Sequence, residues 1–172
     1  MKLIDYVSRI ADVIFAIIKV VLAVMITVMV IVTTVEVVRR YCFGKSFLWA
    51  EELVKFLLVA VTFLGGPAAY RAGGLAFLDL VTARLSRKVQ DIISVFNNVV
   101  LIGVCAWLAK LGFVYSFSPM VAKMFSTGLH LKMTYVYLTI PIGFVIMVFF
   151  AIEQIMLTVT KKKGKEETEA EA

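Results

Sequence analysis

MTYVYLTIPIGFVIMVFFAI, residues 133–152, runs for 20 positions without a charge between Lys132 and Glu153. A helix needs about 20 apolar residues to cross a hydrocarbon layer of roughly 30 Å, so this stretch predicts a membrane-spanning helix. Three further windows read the same way. Sixteen uncharged residues separate Lys19 from Glu36, 15 separate Lys55 from Arg71, and 18 separate Asp91 from Lys110. Lys19, Lys55 and Lys110 sit near window edges, where a long stem carries its ammonium to the interface. The flanking apolar pattern extends the windows to spans near 13–37, 53–71, 91–113 and 133–157. Strands of a membrane barrel would alternate in polarity over about 10 residues. These runs are solidly apolar, and the expected fold is an all-α integral membrane protein of four transmembrane helices, one domain over 1–160.

Composition agrees. Of 172 residues, 62% are hydrophobic and 17% charged, and the mean hydropathy is +0.96. A soluble domain has about 45–50% apolar residues and about 25% charged ones. A chain this short cannot hide the excess in one aqueous core, and a disordered chain needs the opposite balance. The first span reads as a retained anchor: its apolar core exceeds the 7–15 residues of a signal peptide, and no small-x-small cleavage site closes it.

Four spans place both termini on one side. That side carries ten Lys and Arg, the other five, and three lie within the spans. The positive-inside rule then puts the N- and C-termini in the cytoplasm of a bacterial or archaeal cell, with the chain in the inner membrane. The net charge of +6 is thereby explained as anchoring, with no nucleic acid partner needed. The outer segment 39–52, RRYCFGKSFLWAEE, mixes aromatics with charges and predicts an amphipathic element in the interface. Segment 114–132 is similar, with Pro119 as a breaker. The charged tail 161–172, KKKGKEETEAEA, is expected to be disordered and cytoplasmic.

Catalytic and cofactor signatures are absent. His130 is the single His, so haem with two axial His is excluded, and the eight Met read as packing. Cys42 and Cys105 form no C-x-x-C pair, and no P-loop, dinucleotide or nucleophile-elbow motif occurs. No enzyme activity and no cofactor are expected. Glu36 is expected to pair locally with Arg39 or Arg40, and Glu51 with Lys55. Asn97 and Asn98 are expected to bond between helices. Gly65, Ala69 and Gly73 recur every four residues as a packing stripe, with Pro67 kinking the second span. No carboxylate falls in mid-span, where a coupled carrier usually has one.

Residues 40–79 resemble the small membrane subunit (DctQ-like) of tripartite ATP-independent periplasmic (TRAP) transporters. The matching features are Arg40-Tyr41, Phe43, Trp49, Glu51-Glu52-Leu53, Phe63-Leu64-Gly65, Tyr70-Arg71 and Asp79, followed in the last span by Tyr137-Leu138-Thr139-Ile140-Pro141-Ile142-Gly143. Two departures are visible: the stretch 73–77 lacks the His often found there, and Pro67 is unusual. The resemblance implies a scaffold for a large membrane subunit that carries the substrate and Na⁺ sites, served by a periplasmic protein that captures an organic acid. It makes Arg39, Arg40, Tyr41, Phe43, Lys45, Trp49, Glu51 and Glu52 candidates for contacts with these partners or with membrane lipids, and Arg71 and Asp79 the family-matching inner residues. The alternatives are a stand-alone homo-oligomeric carrier or channel, and a membrane redox or haem subunit.

The charge bias makes a direct prediction. In a Cys42→Ser background, a cysteine placed at Glu169 should react with a membrane-impermeant maleimide only from the cytoplasmic side; labelling of intact cells would reverse the topology.

Overall fold

A computed structural model describes residues 2–73 and 87–170. It contains α1 (Lys2–Phe43), α2 (Leu48–Arg71), α3 (Arg87–Ser116), the one-turn α4 (Pro119–Ala122) and α5 (Met133–Ala170). Four stretches are long and apolar enough to cross a membrane: Tyr6–Phe43, Leu48–Arg71, Ile92–Ser116 and Met133–Thr160. Among the described residues the only strand-like feature is an isolated bridge between Phe125 and Lys132.

The helices outrun the spans read from hydropathy. Residues 2–43 contain neither Gly nor Pro, so nothing interrupts α1 for 42 residues, about 63 Å at 1.5 Å per residue. It stops at Gly44, whose φ of 62° is the left-handed conformation that glycine adopts cheaply past a helix end. The Gly44 amide donates to the Arg40 carbonyl at 3.2 Å. Segment 39–52 is therefore not a separate interfacial element: it is the end of α1, a short turn and the start of α2. Helix α5 runs to Ala170.

Helix α5 is the centre of the bundle, packed against α1, α2 and α3. The buried cluster Ala11, Ile18, Ala68 and Phe150 joins α1, α2 and α5, with Ile14, Phe15, Leu64, Ile146 and Phe149 around it. Taking the end of the bundle that holds the start of α1 as the inner one, as the charge bias leads us to expect, the outer half of α1 has few neighbours, and Val24, Val30, Ile31, Val35 and Val38 are all exposed. Hydroxyls on this helix are satisfied locally: Thr27, Thr33 and Thr34 donate to the carbonyls four residues back at 2.7–2.8 Å. Without such bonds each would be a costly donor in hydrocarbon.

Small residues set the closest approaches, though not the ones the spacing suggests. Gly65 has nothing within 4 Å of an added Cβ, Ala69 is exposed, and Gly73 lies past the end of α2 with φ 83°. Among the described residues that stripe meets no other helix. The stripe in use lies on α3, where Cys105 and Ala109 are buried and a Cβ on Gly112 would sit 3.1 Å from the Pro141 ring. Tighter still is the crossing of α2 and α5, where a Cβ on Gly143 would overlap the Phe63 carbonyl, 2.9 Å from its carbon. Phe63 and Phe144 meet edge-to-face beside it at 5.6 Å. Pro67 is buried within a continuous α2.

The two glycine sites should behave oppositely. Gly143→Ala should cost about 2 kcal/mol through forced separation of α2 and α5 and lower the unfolding temperature in detergent. Gly65→Ala should leave that temperature unchanged or slightly raised.

Candidate functional site

Polar and ionic contacts gather at the two ends of the bundle. At the inner end, Arg71 closes α2 and reaches two other helices. Its Nε donates to Glu153 Oε2 at 2.9 Å and its Nη2 to Glu153 Oε1 at 2.8 Å. Nη2 also donates to Asp12 Oδ1 at 2.9 Å. The fork-on-fork pairing with Glu153 is the strong form of the arginine–carboxylate contact. Both side chains are shielded, at 15% and 6% exposure, while Asp12 is 70% exposed. The guanidinium also lies 5.3–5.4 Å from the rings of Phe15 and Phe150, within cation–π range. One residue earlier, Tyr70 donates its hydroxyl to Asn98 on α3. Asn98 in turn donates to the Ser94 carbonyl at 2.9 Å. The interhelical bond expected of the asparagine pair thus belongs to Asn98; Asn97 is exposed. Lys19, one turn above Phe15, places its ammonium 4.8 Å from that ring, leaning toward the inner end.

At the outer end, two glutamates hold backbone. Glu36 was expected to pair with Arg39 or Arg40, but it makes no ion pair with either. Its carboxylate accepts from the Ser46 hydroxyl and from the Phe47 amide at 3.1 and 3.2 Å. Phe47 caps α2 without a side-chain acceptor of its own, so a carboxylate from α1 occupies the positive end of that helix. Arg39 stacks its guanidinium on the Phe47 ring, 3.4 Å from the centroid. Phe47 also meets Trp49 at 5.4 Å.

Glu52 performs the same task over a longer range. It accepts from the amides of Thr127, Gly128 and Leu129 at 2.8–3.3 Å and from the Ser126 hydroxyl. This binds the loop between α4 and α5 onto the start of α2. The loop backbone passes so close that a Cβ on Gly128 would lie 2.8 Å from the Trp49 backbone. His130 adopts a φ of 51° in this loop, and Pro119 opens α4 behind a Ser118 cap. Glu51 pairs with Lys55 at 2.7 Å as the spacing predicts, both about two-thirds exposed.

The remaining candidates face outward. Arg40, Tyr41, Phe43 and Lys45 are exposed, Tyr41 by 85% and Phe43 by 73%. Asp79 lies outside the described residues, as do residues 74–77 where the resemblance breaks. Asp12, Glu36 as a cap, Ser46, Ser126 and Glu153 were not singled out for these roles. One signal was available: Asp12, Arg71 and Glu153 all fall at the inner ends of their spans. Cys42 is exposed and Cys105 buried, and neither is bonded to the other. No group of three metal-ligating side chains converges among the described residues.

Four membrane-length helices, braced by charge at both boundaries, define a membrane-embedded helical subunit. Residues 29–161 match the family described as tripartite ATP-independent periplasmic transporters, DctQ component, and the chain belongs to that family. It is a small membrane subunit of a TRAP-type transporter, a class that works with a large membrane subunit and a binding protein. No curated protein matches the chain.

The inner cluster can be tested by stability. Arg71→Ala strands the Glu153 carboxylate and should cost on the order of 3 kcal/mol. Asp12→Asn removes an exposed partner and should cost under about 1 kcal/mol. The exchange Arg71→Glu with Glu153→Arg should recover part of the loss; equal melting temperatures for all variants would show that the pair does not hold the helices.

Proposed function

We propose that this subunit is a scaffold: it holds the large transport subunit in the membrane and helps dock the periplasmic binding protein during Na⁺-coupled uptake of an organic acid. The observation that carries this reading is how the buried and capping acids are used. Glu153 is consumed by Arg71, and Glu36 and Glu52 by loop backbone. None lies at mid-membrane, where coupling ions and substrates bind in carriers. The chain is braced rather than built to move.

In this reading the outer residues 39–52 and 114–132 form the docking face for the protein partners. Arg39, Arg40 and Lys45 supply positive charge there, for acidic residues of the binding protein or for lipid phosphates, and Tyr41, Phe43 and Trp49 supply apolar surface for a partner or for lipid. The termini are cytoplasmic, the surrounding lipids are a further partner, and nucleic acid is not one. The subunit has no enzymatic role. Gly65 and Ala69, open on the outside of α2, offer a close approach to a helix of the large subunit.

Co-expression with a candidate large subunit tests this directly. A stable complex should survive purification in nanodiscs, and neither chain should transport an organic acid under a Na⁺ gradient without the other. Uptake by this chain alone would favour a stand-alone carrier or channel.

A further inference from the structure

A groove of about 730 Å³ lies between the outer third of α1 and the turn into α2, lined by Thr34, Val35, Val38, Arg39, Phe43, Lys45 and Phe47. We propose that it seats an anionic glycerophospholipid, with the phosphate between Arg39 and Lys45 and the upper acyl chain along Val35, Val38 and Phe43.

The groove is graded along the membrane normal. Val35 and Thr34 lie four and five residues below Arg39 on one helix, about 6–7.5 Å deeper. The cations stand at the rim and the aliphatic wall runs inward, in the order of headgroup and chain. A lipid lying beside a spanning helix has that polarity, because hydrocarbon begins where the headgroups end.

Charge selects the headgroup. Glu36 is the carboxylate nearest in sequence to these cations, and its oxygens are bonded to the Ser46 hydroxyl and the Phe47 amide. Among the described residues, Arg39, Arg40 and Lys45 form no ion pair with a carboxylate. Arg39 is also held in place by its stack on Phe47, so its donors are presented with little loss of side-chain freedom. The hydroxyl of Thr34 is already spent on Val30, leaving the deep end of the groove apolar. Two unpaired cations above an aliphatic wall complement a phosphodiester carrying a chain better than a free anion, which would leave Val35, Val38 and Phe43 uncovered.

Native mass spectrometry of the full chain released from nanodiscs of phosphatidylethanolamine and phosphatidylglycerol tests the site. The wild type should retain one phosphatidylglycerol after other lipids are stripped. Arg39→Gln with Lys45→Gln should lower that retention roughly tenfold or more, from about 1 kcal/mol per basic residue. Val38→Trp, which fills the groove without changing charge, should lower it as well. Lys123→Gln with Lys132→Gln, at the other outer loop, should not, and circular dichroism should show all variants equally helical. The proposal is overturned if the wild type and groove variants retain lipid equally, if only the charge variant loses it, if 10 mM inorganic phosphate displaces it, or if binding of the large subunit expels it. These readouts need no transport activity, so they are separable from the scaffold assignment.

Discussion

The bidentate contact between Arg71 and Glu153 is the point on which the arrangement of three helices turns. Helices in lipid gain little from the hydrophobic effect, because the tails outside are as apolar as the side chains inside. Close packing and polar bonds must hold them. Here a single guanidinium on α2 binds a buried carboxylate on α5 and a more exposed one on α1. Helix α1 needs this most, since much of its outer half is exposed and its inner half contributes only Ala11, Ile18 and their neighbours to the core. Breaking such a pair costs more than making it yields, because the stranded charge stays buried. The cluster therefore specifies which ends of the three helices stand together more than it adds to net stability.

The outer end solves a different problem by the same economy. Turns at the membrane boundary expose backbone amides that no helix satisfies. Glu36 and Glu52 supply carboxylates to them, one to the start of α2 and the other to three successive amides of the 126–129 loop. Both connections at this end are consequently pinned to the first turns of α2. The loop residues that carry exposed apolar side chains, among them Tyr41, Phe43, Met120 and Phe125, are thus presented from a fixed frame rather than from free loops.

Hydropathy made the four spans legible because lipid imposes a length that charges must respect, and the 20-residue window before Glu153 needed no further information. Helix ends were less legible. The interface at 39–52 looked amphipathic because its composition is mixed, yet the absence of any breaker before Gly44 was the stronger signal, and it carries α1 through Phe43. Pairings were least legible wherever a nearer partner was available in sequence. Glu51 and Lys55 pair locally as spaced, but Glu36 bypasses two arginines within a turn for Ser46 and Phe47. A carboxylate facing a helix start gains amides and a dipole at once, which i,i+3 and i,i+4 counting omits. The glycine stripe failed for a related reason: spacing identifies a surface that permits close approach, while the partner that uses it is set by topology. Gly143 and Gly112, which do carry the crossings, sit opposite Phe63 and Pro141 only once α5 is placed at the centre.

The distribution of charge bears on how a transporter divides its labour. A moving element must exchange one set of contacts for another of similar free energy, and buried ion pairs with long-range partners resist that exchange. Every long-range polar contact described at the two ends of this bundle joins different segments of the chain: Arg71 to α1 and α5, Tyr70 to α3, Glu36 to the turn before α2, Glu52 to the loop before α5. Rocking any one helix would break a bond at one boundary without forming another in its place. The bundle is in that sense cross-braced, which is the property the proposed scaffold role requires: a fixed surface for a partner that slides or rotates in the membrane. What stays open on that surface, α1 from Val24 to Val35 and the Gly65–Ala69 face, is apolar and free of ion pairs, so it can be covered by lipid or protein without first desolvating a charge.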